Sequence, residues 1–136
     1  MQFSITLLAL AASFATALPS AESAAPAEHP IQKRGCYSGG ETWGGEKGNA
    51  YGKISEVCNN NFQGNYGRNE IRYQCRNLSS NKKIDMTLQY IGSGSRSIGR
   101  AECESGLNSE VNNCNNGGST SYANWKYSAD PNAGQC

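Results

Sequence analysis

The hydrophobic pattern divides the chain into a front part and a body. Residues 5–10 form an apolar run that continues through small residues to Phe14. Residues 18–34, "LPSAESAAPAEHPIQKR", show no periodicity. From residue 35 onward, short periodic segments alternate with breaks rich in Gly, Asn and Ser. In "EKGNAYGKISEVC", Ala50, Ile54, Val57 and Cys58 follow the i, i+4, i+7, i+8 spacing of one helical face. In "RAECESGLNSEVNNC", Cys103, Leu107, Val111 and Cys114 advance by 0, 4, 8 and 11 positions, again along one face. Each stretch runs into an Asn-rich stop, "NNN" after Cys58 and "NNGG" after Cys114, as helix C-termini favour.

Between the two helices the period changes to two. "NEIRYQCRN" alternates Ile71, Tyr73 and Cys75 against Arg72, Gln74 and Arg76. "KKIDMTLQY" alternates Ile84, Met86, Leu88 and Tyr90 against Asp85, Thr87 and Gln89. The polar link "LSSN" joins them, which predicts a hairpin of half-buried strands. "SYANWKYSA" reads as a third strand with Ala123, Trp125 and Tyr127 on one side, and "GCYS" as a short further strand. The expected fold is therefore α+β: a small antiparallel sheet with two helices packed on one face.

The front of the chain reads as processing signals. The apolar run leads into Ala15-Thr16-Ala17, a small-x-small cleavage pattern, so residues 1–17 are expected to be a secretory signal peptide. The run is too short to span a bilayer, and no later stretch qualifies. Residues 18–34 lack the apolar content to order themselves and end in Lys33-Arg34, the expected cut site for a dibasic protease that removes a pro-segment. The working domain is then 35–136, exported and extracellular. It retains all six cysteines and all 16 glycines, but not His29, the only histidine.

That domain is polar. It has only about 12 large aliphatic or Phe/Met side chains to set against a backbone ordering cost of roughly 1–2 kcal/mol per residue. Covalent staples are the expected remedy. Cys36, Cys58, Cys75, Cys103, Cys114 and Cys136 read as three disulfides of about 2–4 kcal/mol each. Cys103 and Cys114 lie about 16 Å apart along an intact helix and cannot bond to each other. The other pairings stay open. With no C-x-x-C pair and no histidine, neither a metal nor a cofactor is expected.

The same absence removes most catalytic constellations. Ser-His-Asp and Cys-His arrangements need a histidine, and oxidised cysteines offer no thiolate. A carboxylate pair drawn from Glu41, Glu46, Asp85 and Asp130 is the one hydrolytic option left, and non-catalytic binding is the expected role. A net charge of +1 gives no attraction to nucleic acid or an anionic membrane.

Sugar sites set an aromatic ring beneath a pyranose and let amides and carboxylates bond its hydroxyls. Seven Tyr, two Trp and 15 Asn supply such groups. Trp43, between glycines in "GGETWGGEKG", is the leading candidate, its alternative role being to fold back over the sheet edge. Tyr37, Tyr122 and Lys126 are further candidates, the last two on the exposed side of the third strand. Arg72 and Arg76, on the polar side of theirs, are positioned for a hydroxyl-rich or anionic ligand. Trp125 is expected in the core. Asn77-Leu78-Ser79 is an N-glycosylation sequon at the hairpin turn.

The segments "CYSGGETWG", "YQCRNLSS", "CESGLNSEVNNCNNGG" and "WKYSADPNAGQC" together resemble the small fungal glycan-binding, lectin-like family known from mushrooms. The resemblance covers residues 35–136, and its most specific parts are C-x3-L-x3-V-x2-C-x2-GG and ADPN-x-G-x-C. It implies a secreted fungal protein with a disulfide-rich α/β sandwich that binds glycans or glycoproteins without catalysis. It carries no individual sugar contacts. A more distant likeness, to virus-encoded fungal killer toxins, implies instead an effector acting on a protein of a host or competitor.

Overall fold

The periodic segments fold as elements of a layered domain in a computed structural model that describes residues 33–79 and 81–136. Strand β1 (Lys33–Cys36) leads through a short 3-10 turn (Gly44–Glu46) into helix α1 (Lys47–Val57), whose last turn widens at Cys58–Phe62. Then come β2 (Gly64–Tyr66), β3 (Ile71–Asn77), β4 (Lys82–Tyr90), β5 (Arg96–Ile98) and helix α2 (Arg100–Asn113). A closing pair, β6 (Gly118–Tyr122) and β7 (Trp125–Ala133), completes the chain. Five strands form one antiparallel sheet in the order β1-β6-β7-β4-β3, and β2 with β5 forms a separate two-stranded piece. This is the expected α+β sandwich, with more strands than the periodicity reveals.

Both helical stripes do what their spacing predicts. Ala50, Ile54 and Val57 of α1, with Cys103, Leu107 and Val111 of α2, are buried against the inner row of the central strands. That row is Ile84, Met86, Leu88 and Tyr90 on β4 and Trp125, Tyr127 and Ala129 on β7. Trp125 lies at its centre, edge-on to Tyr66 at 5.0 Å and tilted against Tyr90 at 5.1 Å.

All six cysteines are paired. Cys58–Cys103 joins the end of α1 to α2 inside the core, Cys36–Cys114 ties β1 to the end of α2, and Cys75–Cys136 ties β3 to the chain's last residue. They close loops of 45, 78 and 61 residues respectively, long enough to remove much of the unfolded chain's freedom.

Two sequence expectations are corrected. First, the stretch read as one strand at "SYANWKYSA" is a hairpin: Ala123 and Asn124 both take positive φ, 48° and 70°, and turn β6 into β7. Tyr122 and Lys126 therefore sit on different strands and different faces. Second, the two rows of β3 are exchanged. Its register with β4 sets Ile71 opposite Gln89, Tyr73 opposite Thr87 and Cys75 opposite Asp85, so the apolar row joins the polar row of β4. Arg72, Gln74 and Arg76 lie opposite Leu88, Met86 and Ile84, on the helix side.

The proposed signal peptide and all but the last two residues of the pro-segment lie outside the described residues. Lys33 and Arg34 are the first half of β1, in register with Ser121 and Thr120 of β6.

Candidate functional site: the open face of the sheet

Helices cover one side of the five-stranded sheet, and among the described residues no element packs on the other side. Residues directly opposite across antiparallel strands share a face, with neighbouring strands about 4.8 Å apart. One row across the open side is Tyr73, Thr87, Ser128 and Ser119; the next is Ile71, Gln89, Lys126 and Ser121. A cavity of about 250 Å³ lies over these rows, with Thr87, Gln89, Ser119 and Ser128 in its lining beside Ile71, Lys126 and Tyr37.

Tyr37 reaches this face because β1 ends beside β6. Its backbone N–H donates to Gly117 O at 2.9 Å, and its hydroxyl meets Ser128 Oγ at 2.9 Å. Gly117, at a positive φ of 73°, itself lies close against β7, where a Cβ would fall 2.3 Å from Ala129 O. Ile71 and Tyr73 are more than half exposed (57% and 55%), and Tyr37 is 37% exposed. Such apolar surface gains nothing from folding where it stands.

One end of the face is acidic. Asp85 and Asp130 are direct cross-strand partners, and the Asn132 amide donates to both, at 2.8 and 3.1 Å. The Tyr73 hydroxyl donates to Asp85, which raises the tyrosine's pKa, and Lys83 Nζ stands 3.6 Å from the same carboxylate. Partial burial, reinforced by the neighbouring Asp85 charge, holds the Asp130 carboxyl above its usual range despite the Asn132 bond. Like charges placed directly opposite oppose folding. Together the face offers aromatic rings, an aliphatic side chain, hydroxyls, an amide, one lysine and two carboxylates. That is the inventory with which proteins hold polyhydroxylated rings.

The structure separates the candidate residues named from sequence. Tyr37 and Lys126 meet on the open face. Tyr122 lies on the helix side, opposite Trp125, and is 40% exposed. Trp43 is not an exposed loop ring: it is fully buried, its indole N–H donates to Cys114 O at 2.8 Å, and it packs against the end of α2. Arg72 and Arg76 are not open to a ligand either. The Arg72 guanidinium lies 3.9 Å over the Tyr66 ring and bonds Asn65 O at 2.7 Å and Glu70 at 2.9 Å. Arg76 bonds Glu56 and Asn61 at 2.9 Å each, clamping β3 to the helix layer. Asn77 is exposed at the end of β3, its Oδ1 accepting from the Cys136 N–H at 2.7 Å.

Of the four carboxylates considered for hydrolysis, Glu46 is buried under the Asn49 amide and the Ser79 hydroxyl, and Glu41 pairs with Lys82 at 3.3 Å. Only Asp85 and Asp130 share the open face. Ile71 and Tyr73, assigned to the core by alternation, are the site residues that sequence reasoning missed. Their period-2 pattern marks the strand but not which side of it faces the helices.

A disulfide-linked α+β domain with an uncovered, ring-bearing and hydroxyl-rich sheet face has the make-up of a carbohydrate-binding module. The chain belongs to the family described as glycan binding domain Y3, whose family model matches residues 50–136. No curated protein matches the chain. The matched span includes most of α1, strands β2 to β7 and all of α2, and membership gives the protein a carbohydrate-binding role. Three disulfides and a glycan-binding domain fit an extracellular protein. No helix among the described residues is long and apolar enough to cross a membrane.

Proposed function

We propose that this chain is a secreted, non-catalytic glycan-binding protein of fungal origin that meets its sugar on the open face of the five-stranded sheet. Residues 1–17 direct export, residues 18–34 are removed after Arg34, and the oxidised domain from Gly35 binds glycans of another organism or of a cell wall. Family membership supports the ligand class. The observation that carries the location is the exposure of Ile71, Tyr73 and Tyr37 around a floor of Thr87, Gln89, Ser119 and Ser128 over which no described element packs. Tyr73 supplies the stacking ring, Gln89, Thr87 and Ser128 bond ring hydroxyls, and Lys126 and Asp85 mark the two ends. Asp85 is already engaged by Tyr73, Asn132 and Lys83, which suits a fixed acceptor rather than a group that shuttles a proton.

A glycan array probed with the oxidised chain and with its Tyr73→Ala variant tests this. Binding to a defined set of glycans, lost in the variant while its melting temperature stays put, is the expected result. Array binding that Tyr73→Ala leaves untouched removes the open face from consideration. Target binding that persists under excess free sugar turns the reading toward a protein-directed effector, and turnover of any glycan removes the non-catalytic part.

A further inference from the structure

A second cavity, of about 300 Å³, lies on the other side of the sheet, between α2 and the β6–β7 hairpin. Its helix wall is Glu102, Ser105, Gly106, Ser109 and Glu110, at the i, i+3, i+4, i+7, i+8 spacing of a single stripe. This stripe runs beside the apolar one of Cys103, Leu107 and Val111. A helix stripe turned toward a sheet is ordinarily apolar and packs without a gap. Here the side chains between the two glutamates are small or hydroxylic, and a trough remains.

The floor is the Tyr127 ring. A Cβ at Gly106 would come 2.1 Å from it, so the glycine lets the helix close on the floor while the trough stays open above. Thr120 and Tyr122 of β6 form the opposite wall. Tyr122 lies opposite Trp125 in the register, which puts its ring on the helix side, at the mouth, 40% exposed.

The polar groups are held in place. Glu102 is paired with Arg96 at 3.0 Å, and Arg96 is itself anchored on Ala123 O at 2.7 Å. Ser109 Oγ accepts from the Asn113 amide at 3.1 Å, which leaves its own proton to donate. The Arg96 partner offsets the Glu102 charge, and the second lining carboxylate, Glu110, is buried at 1% exposure, so the rim itself favours a neutral, hydroxyl-bearing ligand over a cation.

We propose that this groove is a second carbohydrate site, shaped for one neutral pyranose. Tyr122 lies beneath the apolar face of the ring, and Ser105, Ser109, Thr120 and Glu102 bond its hydroxyls. The inference rests on the carbohydrate-binding role proposed above. It adds a consequence: with one site on each side of a single sheet, a monomer is bivalent and cross-links glycan-bearing surfaces without oligomerising.

Amide chemical-shift mapping on the 15N-labelled oxidised chain tests the two sites separately. The probes are millimolar methyl glycosides of glucose, galactose, mannose and N-acetylglucosamine. The expected result is that at least one moves the amides of Ser105, Ser109 and Thr120, and that Tyr122→Ala weakens this set by roughly tenfold or more. Tyr122→Phe keeps the set, and Tyr73→Ala leaves it unchanged. Thr87, Gln89 and Ser128 report on the open face independently. Shifts confined to those three overturn the groove site and leave the open-face reading standing. Shifts confined to the groove support it and remove the open face instead. No shift with any glycoside overturns both. As a second readout, the monomeric chain is expected to precipitate a polyacrylamide-linked form of the active glycoside. Tyr122→Ala is expected to bind that polymer without precipitating it, and undiminished precipitation by the variant contradicts the proposal.

Discussion

The two faces of the central strands obey different rules. On the helix side, Ile84, Met86 and Leu88 of β4 and Trp125, Tyr127 and Ala129 of β7 are buried, each touching a helix or another strand residue across the core. On the open side, the alternate residues are Asp85, Thr87 and Gln89 on β4 and Lys126, Ser128 and Asp130 on β7. Packing volume dictates the first set and leaves the second free. Edge strand β3 breaks the division, because Ile71 and Tyr73 put apolar surface on the free side while arginines occupy the inner one. These neighbouring apolar groups, which stability does not require, are the ones the proposed glycan site uses.

The comparison is sharpest where the inner side is damaged. Replacing Cys58 and Cys103 together by serine removes the staple that joins α1 to α2 within the core. The expected cost is about 2–5 kcal/mol, a large part of the roughly 5–15 kcal/mol that a domain of this size has. Thermal unfolding monitored by circular dichroism should show a fall of well over about 10 °C. An unchanged transition would mean that the aliphatic core is sufficient alone.

The open side should respond in the opposite sense. Tyr73→Ala removes a ring that is half in water, so stability should change by less than about 0.5 kcal/mol. Glycan affinity should fall roughly tenfold or more, which corresponds to about 1.4 kcal/mol. Calorimetry on the same preparation reads both quantities. Equal losses in fold and affinity would erase the distinction between the faces.

Arg72 sharpens the contrast within one strand, since it neighbours Tyr73 and points the other way. Arg72→Ala loses the contact over Tyr66 and the bonds to Asn65 O and Glu70. A destabilisation of about 1–2 kcal/mol with unchanged glycan affinity is expected, measured by urea unfolding beside a binding titration. Weaker binding at constant stability would return the arginine to the ligand site.

How much of this was legible follows the same division. Strand β4 and both helices were readable because one of their faces is filled by large apolar side chains at an unbroken period. The cysteine framework was readable from its count, and one forbidden pairing followed from helix geometry. Strand β3 was not readable in full: at a sheet edge, arginine stems and their hydrogen bonds close the core as well as aliphatics do, so alternation gives no direction. The β6–β7 turn escaped because Ala123 and Asn124 adopt positive φ without a glycine or proline to announce them. Strands β2 and β5, three residues each, are too short to carry a period. Trp43 misled because its glycine neighbours read as a flexible loop, whereas the ring is buried in the core and its N–H bonds Cys114 O.

The smallest effect separates the faces by the sign of their pH response. Glu46, on the helix side, accepts from the Asn49 amide and then the Ser79 hydroxyl, and these bonds hold its carboxyl below the usual range. A depressed folded pKa contributes stability that is present above the unfolded value and lost as pH falls through the folded one. Asp130, on the open face, is shifted upward by burial and by Asp85, against the Asn132 bond, with Lys83 and Tyr73 bearing on Asp85. Its contribution is present below roughly pH 4 and is lost as pH rises through the raised value. Asp130→Asn should therefore stabilise the protein at pH 7 by less than about 1 kcal/mol, with the gain vanishing in acid. Glu46→Gln should destabilise at pH 7 and converge on the unmodified protein as pH falls. Denaturant midpoints of both variants across pH 3 to 7 would decide the matter. If Asp130→Asn weakens the fold at neutral pH, the carboxylate pair is a structural brace, and the open face has no electrostatic strain for a ligand to relieve.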